Sequence, residues 1–154
     1  MKSSDQLYRN GSYKENKQKQ DSIDLLNARE LKNIFETYGF PSDRVIGNYT
    51  INDDFVNIDA LLLHTKDSIR RNYFIPTILK YVRQGKANPR YVGFMEDQLL
   101  IYAGKEQYYG TYQNAPLMSV DTSEINKRRQ SIGLPNLGYE QWRDKILYPD
   151  ESEY

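Results

Sequence analysis

The sequence contains no cysteine and a single histidine among its 154 residues. Without cysteine, disulfide bridges, thiolate zinc sites and a cysteine nucleophile are excluded. One histidine leaves carboxylates as the other metal ligands, and no spacing of Asp and Glu matches a calcium-binding loop. We therefore expect neither a metal nor another cofactor.

The chain also lacks an excess of one charge and any long apolar run. Its 21 Lys and Arg balance 21 Asp and Glu, which argues against nucleic acid and anionic lipid as broad electrostatic partners. The longest apolar run, near residues 60–63, is far shorter than a membrane span, and the polar N-terminus is no secretory signal. These features predict a soluble protein of a reducing compartment, the cytoplasm.

The distribution of polar residues predicts one domain with loose ends. Residues 1–20 carry too few large apolar groups to offset the entropy of ordering, so we predict a disordered polar tail. Residues 21–148 have the size of a single helical domain. The acidic residues 149–154 are expected to fray.

Helical periodicity dominates the rest of the chain, with apolar residues recurring every three to four positions between stop signals. A capping box at Asn27 and Glu30 opens the first confident helix, and Gly39 ends it. Pro76 is expected to kink or break a later helix. The predicted helices cover 27–38, which residues 21–26 extend by an earlier turn in one interpretation, 52–64, 67–84 and a segment after the Asn88 cap to 97. A short helix capped by Asp121 or Thr122 and stopped by Gly133 follows, and then an amphipathic piece with Tyr139, Trp142 and Ile146.

Residues 98–112 follow a period nearer two than 3.6 and are rich in β-forming residues, with Gly104 and Lys105 as a turn. Gly110 within a strand indicates a bulge or a close approach of another backbone. The predicted fold is therefore mainly α (α+β): a compact bundle of about five to six helices with one small β-hairpin near 98–112.

The single histidine is the first candidate for chemistry. His64 is predicted at a helix C-terminus, where the helix dipole stabilises an imidazolium. Asp67, three residues on, is placed to hold one ring nitrogen, which gives the geometry of a general acid and base pair. The alternative is a histidine that merely bonds helix-end carbonyls, and this is favoured for an isolated histidine.

The predicted hairpin is the second candidate. Lys105, Gln107, Tyr109 and Thr111 share one face of a strand, where polar groups make a poor core but a plausible wall for an anion or an amide-bearing ligand. A solvent-exposed face is an equally good interpretation.

Two adjacent arginines, Arg128 and Arg129, are the third candidate. Their side chains leave a helix about 100° apart, so one is expected to pair with a carboxylate such as Asp97 and the other to face a ligand. A guanidinium suits carboxylate or phosphate. The alternative is a solvated or salt-bridged helix face.

Several short motifs occur in a recognisable order. These are Tyr38-Gly39-Phe40-Pro41, His64 after an apolar helix, Gly104-Lys105-x-Gln107-x-Tyr109-Gly110-Thr111 and Arg128-Arg129-x-x-Ile132-Gly133-Leu134. The order resembles a bacterial family known as a domain of unknown function, over about residues 25–140. The resemblance implies no activity, but it implies that the three polar features share one site.

Three functional interpretations remain open. The first is a ligand or catalytic site built from His64, the hairpin and Arg128 or Arg129, with metal-independent phosphoryl or phosphodiester chemistry on a small anionic ligand. The second is a non-catalytic adaptor or immunity-like domain that binds a protein partner through its 14 tyrosines. In the third, Gln107 and the arginines form a buried network that locks the hairpin to the helices.

Overall fold

The computed structural model describes residues 13–42, 45, 58–112 and 121–139, and it confirms the mainly helical class. The helices are α1 (Tyr13–Tyr38), α2 (Asp59–His64), α3 (Asp67–Ile69), the π-helical segment π1 (Arg70–Phe74), α4 (Ile75–Arg83), α5 (Arg90–Tyr102) and α6 (Thr122–Ser131). Within the described ranges, no helix combines the length and the apolar character needed to cross a bilayer.

The core lies where α1, α2, π1, α4 and α5 meet. Leu31 and Phe35 of α1 are buried together with Phe74 of π1, Ile78 of α4 and Leu99 of α5. The rings of Phe35 and Phe74 meet edge to face with centroids 5.5 Å apart, an arrangement that aromatic pairs prefer. Helix α5 packs on both α2 and α4, so it is the element around which the described chain is arranged.

Helix α1 begins earlier than the sequence indicates. It starts at Tyr13, with a kink at Asn16, so residues 13–20 of the predicted disordered tail are helical. The side chain of Gln20 is fully buried, and Asn27, the predicted cap, lies inside the helix. Good helix formers such as Lys, Gln and Glu extend a helix once part of it is packed. Residues 1–12 and 140–154 lie outside the described part, as does the predicted helix start at Asn52.

Several predicted helix ends are confirmed. The Asn88 side chain accepts a hydrogen bond from the Arg90 amide at 2.9 Å, and Asp121 accepts one from the Ser123 amide at 2.9 Å. Gly39 and Gly133 follow their helices with φ of 84° each, a left-handed conformation that glycine adopts without strain.

The predicted kink or break at Pro76 takes the form of a π-helical segment. Residues 67–83 are helical throughout, and π1 ends two residues before Pro76. Proline lacks an amide proton and its ring crowds the carbonyl four residues earlier. A π turn inserts one extra residue, which relieves this crowding, and such turns are frequent at functional sites.

The predicted β-hairpin near 98–112 is wrong. No strand is found in the described ranges, α5 runs on to Tyr102, and residues 105–112 form an irregular loop. Gly104, with φ of 67°, ends the helix, and the Lys105 amide donates to the Leu100 carbonyl at 2.8 Å as in a Schellman motif.

Tertiary packing explains why a strand-like pattern became helical. Val92, Met95 and Leu99 are spaced three and four residues apart, and all three are buried on one face of α5. A lone hairpin gains little stability in water, and β propensity depends strongly on context. Burial of this helical face therefore outweighs the local preference for a strand.

At Gly93, α5 packs closely against the loop of residues 105–112 and against Leu134. A Cβ added there would lie 2.9 Å from Thr111 Cγ2 and 3.1 Å from Leu134 Cδ1. We expect Gly93→Ala to lower the free energy of unfolding by about 1–3 kcal/mol in urea titrations, because overpacking outweighs the gain in helix propensity. Stabilisation by about 1 kcal/mol, the propensity gain alone, would show that the loop yields.

Candidate functional site

Asp97, on the inner face of α5, organises the loop that follows this helix. Its side chain is fully buried. Oδ1 accepts from the amides of Tyr108 at 2.7 Å and Tyr109 at 2.8 Å, and Oδ2 accepts from the amide of Thr111 at 2.8 Å and its hydroxyl at 2.7 Å. Bonds to a carboxylate are stronger than neutral ones. The carboxylate therefore replaces the strand pairing that the sequence predicts.

Gln107 closes the same loop because its side-chain amide pairs with a main-chain amide as a neighbouring strand would. Its Nε2 donates to the Tyr112 carbonyl at 2.8 Å, and its Oε1 accepts from the Tyr112 amide at 2.8 Å. The side chain is fully buried. A buried amide whose two ends are both bonded to the main chain stabilises one loop conformation.

Arg129 holds the loop from the opposite side. Its Nε donates to the Pro135 carbonyl at 2.5 Å and its Nη1 to the Tyr109 carbonyl at 2.9 Å. The side chain is buried at the end of α6. Arg129 and Asp97 thus both bind the loop backbone, and the pairing of an arginine with a carboxylate stays a prediction.

The loop does not present its polar side chains on one face. Lys105 is exposed, whereas Gln107 and Tyr109 are buried and Thr111 is half-buried beside Asp97. Arg128 is half-buried and lies over the ring of Tyr108, 4.5 Å from its centroid. The predicted wall of Lys105, Gln107, Tyr109 and Thr111 therefore divides into a buried part and an accessible part.

Tyr109 is held in a protonated state by its surroundings. Burial raises the pKa of its phenol to about 12, and the nearby carboxylate of Glu96 adds to the rise. A phenol with this pKa stays neutral in the range where most enzymes work, so it acts as a donor rather than as a base.

His64 and Asp67 lie on separate helices. His64 ends α2 and is half-buried, while Asp67 begins α3. The contact that the structure shows for the Asp67 carboxylate is with Arg70 Nη2, at 3.4 Å. The predicted orientation of His64 by Asp67 gains no support from this contact, and a catalytic role for either residue stays a prediction.

A groove with a volume of about 1060 Å³ lies at the other end of α5. It runs between the end of α1, the start of α5 and the segment after α6. The rings of Tyr38, Phe40, Tyr81 and Tyr91 line it, together with Pro89 and Pro135. No local pattern in the sequence indicates this groove, because its lining comes from three separate parts of the chain and includes Tyr38, which is 76% exposed.

The groove has a positive edge. Lys86 and Arg90 are both exposed, and no carboxylate belongs to the lining that the described residues form. Arg90 lies over the ring of Phe94, 5.0 Å from its centroid, which fixes its direction. The described lining of the groove thus combines flat aromatic rings with two positively charged side chains.

Comparison of the chain with protein-family models, with curated proteins and with solved structures finds no match.

Proposed function

We propose that this protein is a non-catalytic recognition domain of the cytoplasm, which binds an extended, acidic, proline-containing segment of a partner protein. The observation that carries the proposal is the groove, in which the described lining combines aromatic rings and prolines with the cations Lys86 and Arg90. Aromatic-lined grooves suit polyproline II segments, since these are already extended and lose little entropy on binding. The absence of cysteine favours a reducing compartment such as the cytoplasm, where disulfides are rare.

Charge decides the character of the partner. Because Lys86 and Arg90 are cations in the described lining of the groove, carboxylates on the partner gain attraction from them and cations meet repulsion. Exposed charges are screened by salt, so we expect the affinity to fall as ionic strength rises.

The hydrogen bonds within the predicted polar site support a role in recognition rather than in catalysis. The carboxylate of Asp97, the amide of Gln107 and two nitrogens of Arg129 are bonded to the chain itself. A side chain that serves as acid, base or anion clamp needs a donor or acceptor that is available to the substrate. These three residues therefore support the interpretation in which the polar motifs stabilise the fold.

The proposal is tested with a short fluorescent peptide of alternating glutamate and proline, and with the same peptide carrying lysine for glutamate. We expect fluorescence anisotropy to show binding of the acidic peptide and none of the basic one. Tyr38→Ala and Lys86→Glu should each weaken binding about tenfold, since the first removes an aromatic contact and the second reverses a charge.

Tyr102→Ala is the matched control. Tyr102 is 72% exposed, close to the value for Tyr38, but it lies at the far end of α5 and does not line the groove. Binding that responds equally to both tyrosine variants, equal binding of the two peptides, or no binding of the acidic peptide at millimolar concentration would each refute the proposal.

A further inference from the structure

Arg70 is a buried cation, and its described partners bond only part of its guanidinium group. Its side chain is 3% exposed and extends from π1. Nη1 donates to Gln98 Oε1 at 2.5 Å, and Nη2 lies 3.4 Å from Asp67 Oδ1. Asp67 is 62% exposed, so its attraction is screened by water. A buried guanidinium normally has a carboxylate or phosphate in close contact.

The Nε–H of Arg70 is buried and donates to no acceptor among the residues that the structure describes. The hydroxyl of Tyr112 is buried as well and, within the same part of the chain, has no hydrogen-bond partner. Leaving a buried donor unbonded costs the full desolvation of that group. Two such donors therefore point to an acceptor that binds here.

The two residues influence each other electrostatically, and burial raises the pKa of Tyr112 while it lowers that of Arg70. The ring of Tyr112 is held edge to face against Phe94, with centroids 5.3 Å apart. Phe94 and Gln98 are four residues apart on α5, so one face of this helix supports both Tyr112 and Arg70. The Phe94 ring also lies under Arg90 of the groove, 5.0 Å from its guanidinium, so the two regions are neighbours along α5.

The donors, rather than the net charge around them, set the class of ligand. Arg70 and Arg71 supply two cations, and Asp67, Asp59 and Asp97 supply carboxylates, of which Asp97 is bonded to the loop. The Asp67 contact is long and lies at the surface, so a ligand that approaches from the solvent side displaces it at small cost.

We propose that Arg70 and Tyr112 bind a small oxyanion, phosphate or carboxylate, which accepts hydrogen bonds from Arg70 Nε and from the Tyr112 hydroxyl. The planar guanidinium presents Nε and Nη in a fixed fork that matches two oxygens of such an anion. Neither Arg70 nor Tyr112 lines the groove, and the proposal does not rest on the recognition function.

The test follows the melting temperature against added inorganic phosphate, and separately against acetate, at constant ionic strength. A ligand that binds the folded state raises the melting temperature along a saturating curve, here by about 3 °C. General exclusion of phosphate from the surface would instead raise it without saturation. Comparing phosphate with acetate distinguishes the two classes of oxyanion.

Tyr112→Phe removes one hydroxyl and keeps the ring, so the variant is expected to fold and to lose more than half of the phosphate effect. Tyr38→Phe is the matched control because its hydroxyl belongs to an exposed tyrosine at the end of α1, and it should keep the full effect. The Nε–H signal of Arg70 in nitrogen-edited NMR should shift on titration with the effective anion. A melting temperature that responds to neither anion with saturation, or a Tyr112→Phe variant that responds like the unmodified protein, would overturn the proposal.

Discussion

Replacing Asp97 by asparagine is expected to lower the free energy of unfolding by about 3–4 kcal/mol, the largest effect that we anticipate for a single substitution here. The carboxylate accepts four hydrogen bonds from the loop, three of them from backbone amides. An asparagine keeps one oxygen and turns an NH₂ group toward donors. At least one loop amide then stays buried without an acceptor.

Urea titration of Asp97→Asn measures this effect, with Asp121→Asn as the matched control. Asp121 also accepts from a backbone amide, but it is exposed and asparagine is an equally good helix cap, so we expect its replacement to leave the urea midpoint nearly unchanged. NMR should show the amides of Tyr108, Tyr109 and Thr111 exchanging faster in Asp97→Asn. Equal stabilities of the two variants would contradict the structural role of Asp97.

Replacing Arg129 by alanine is expected to cost about 3 kcal/mol of stability, the second largest effect. Arg129 donates to the carbonyls of Tyr109 and Pro135, and it is itself buried. Its removal leaves two acceptors without this donor and opens space at the end of α6. Thermal and urea unfolding should agree on the loss.

Arg128→Ala is the control for Arg129, since it makes the same chemical change one position earlier. Arg128 lies half-buried over the Tyr108 ring, and such a contact is worth about 0.5–1 kcal/mol. A loss for Arg128→Ala as large as that for Arg129→Ala would show that the two arginines share one role. That result would restore the hypothesis in which both serve a common site.

Local signals allowed much of the helical framework to be predicted. The caps at Asn88 and Asp121 and the stop at Gly39 follow from side chains that bond nearby amides and from a residue that tolerates positive φ. Such interactions span a few residues, so the amino-acid sequence specifies them almost alone. The helix over residues 13–20 was missed because its polar residues give a weak apolar pattern.

The loop after α5 was beyond local reasoning. Its alternation of apolar and polar residues matches a strand, yet Leu99 is buried as part of a helical face and Asp97 binds the amides that a partner strand would have bonded. Both effects depend on residues brought together from α5, α6 and the loop. The spacing of apolar residues within a short segment contains no information about these distant contacts.

The sequence by itself determined that this protein is mainly helical and that it has no thiol chemistry. It also identified Asp97, Gln107 and Arg129 as polar residues that either form a site or stabilise the fold. Only the tertiary structure decided what those residues do, because their partners are backbone groups up to 20 positions away. The same holds for the groove and for Arg70, whose surroundings come from separate helices. Composition and capping act within one turn of chain, whereas burial and hydrogen bonding of a polar group depend on the whole fold.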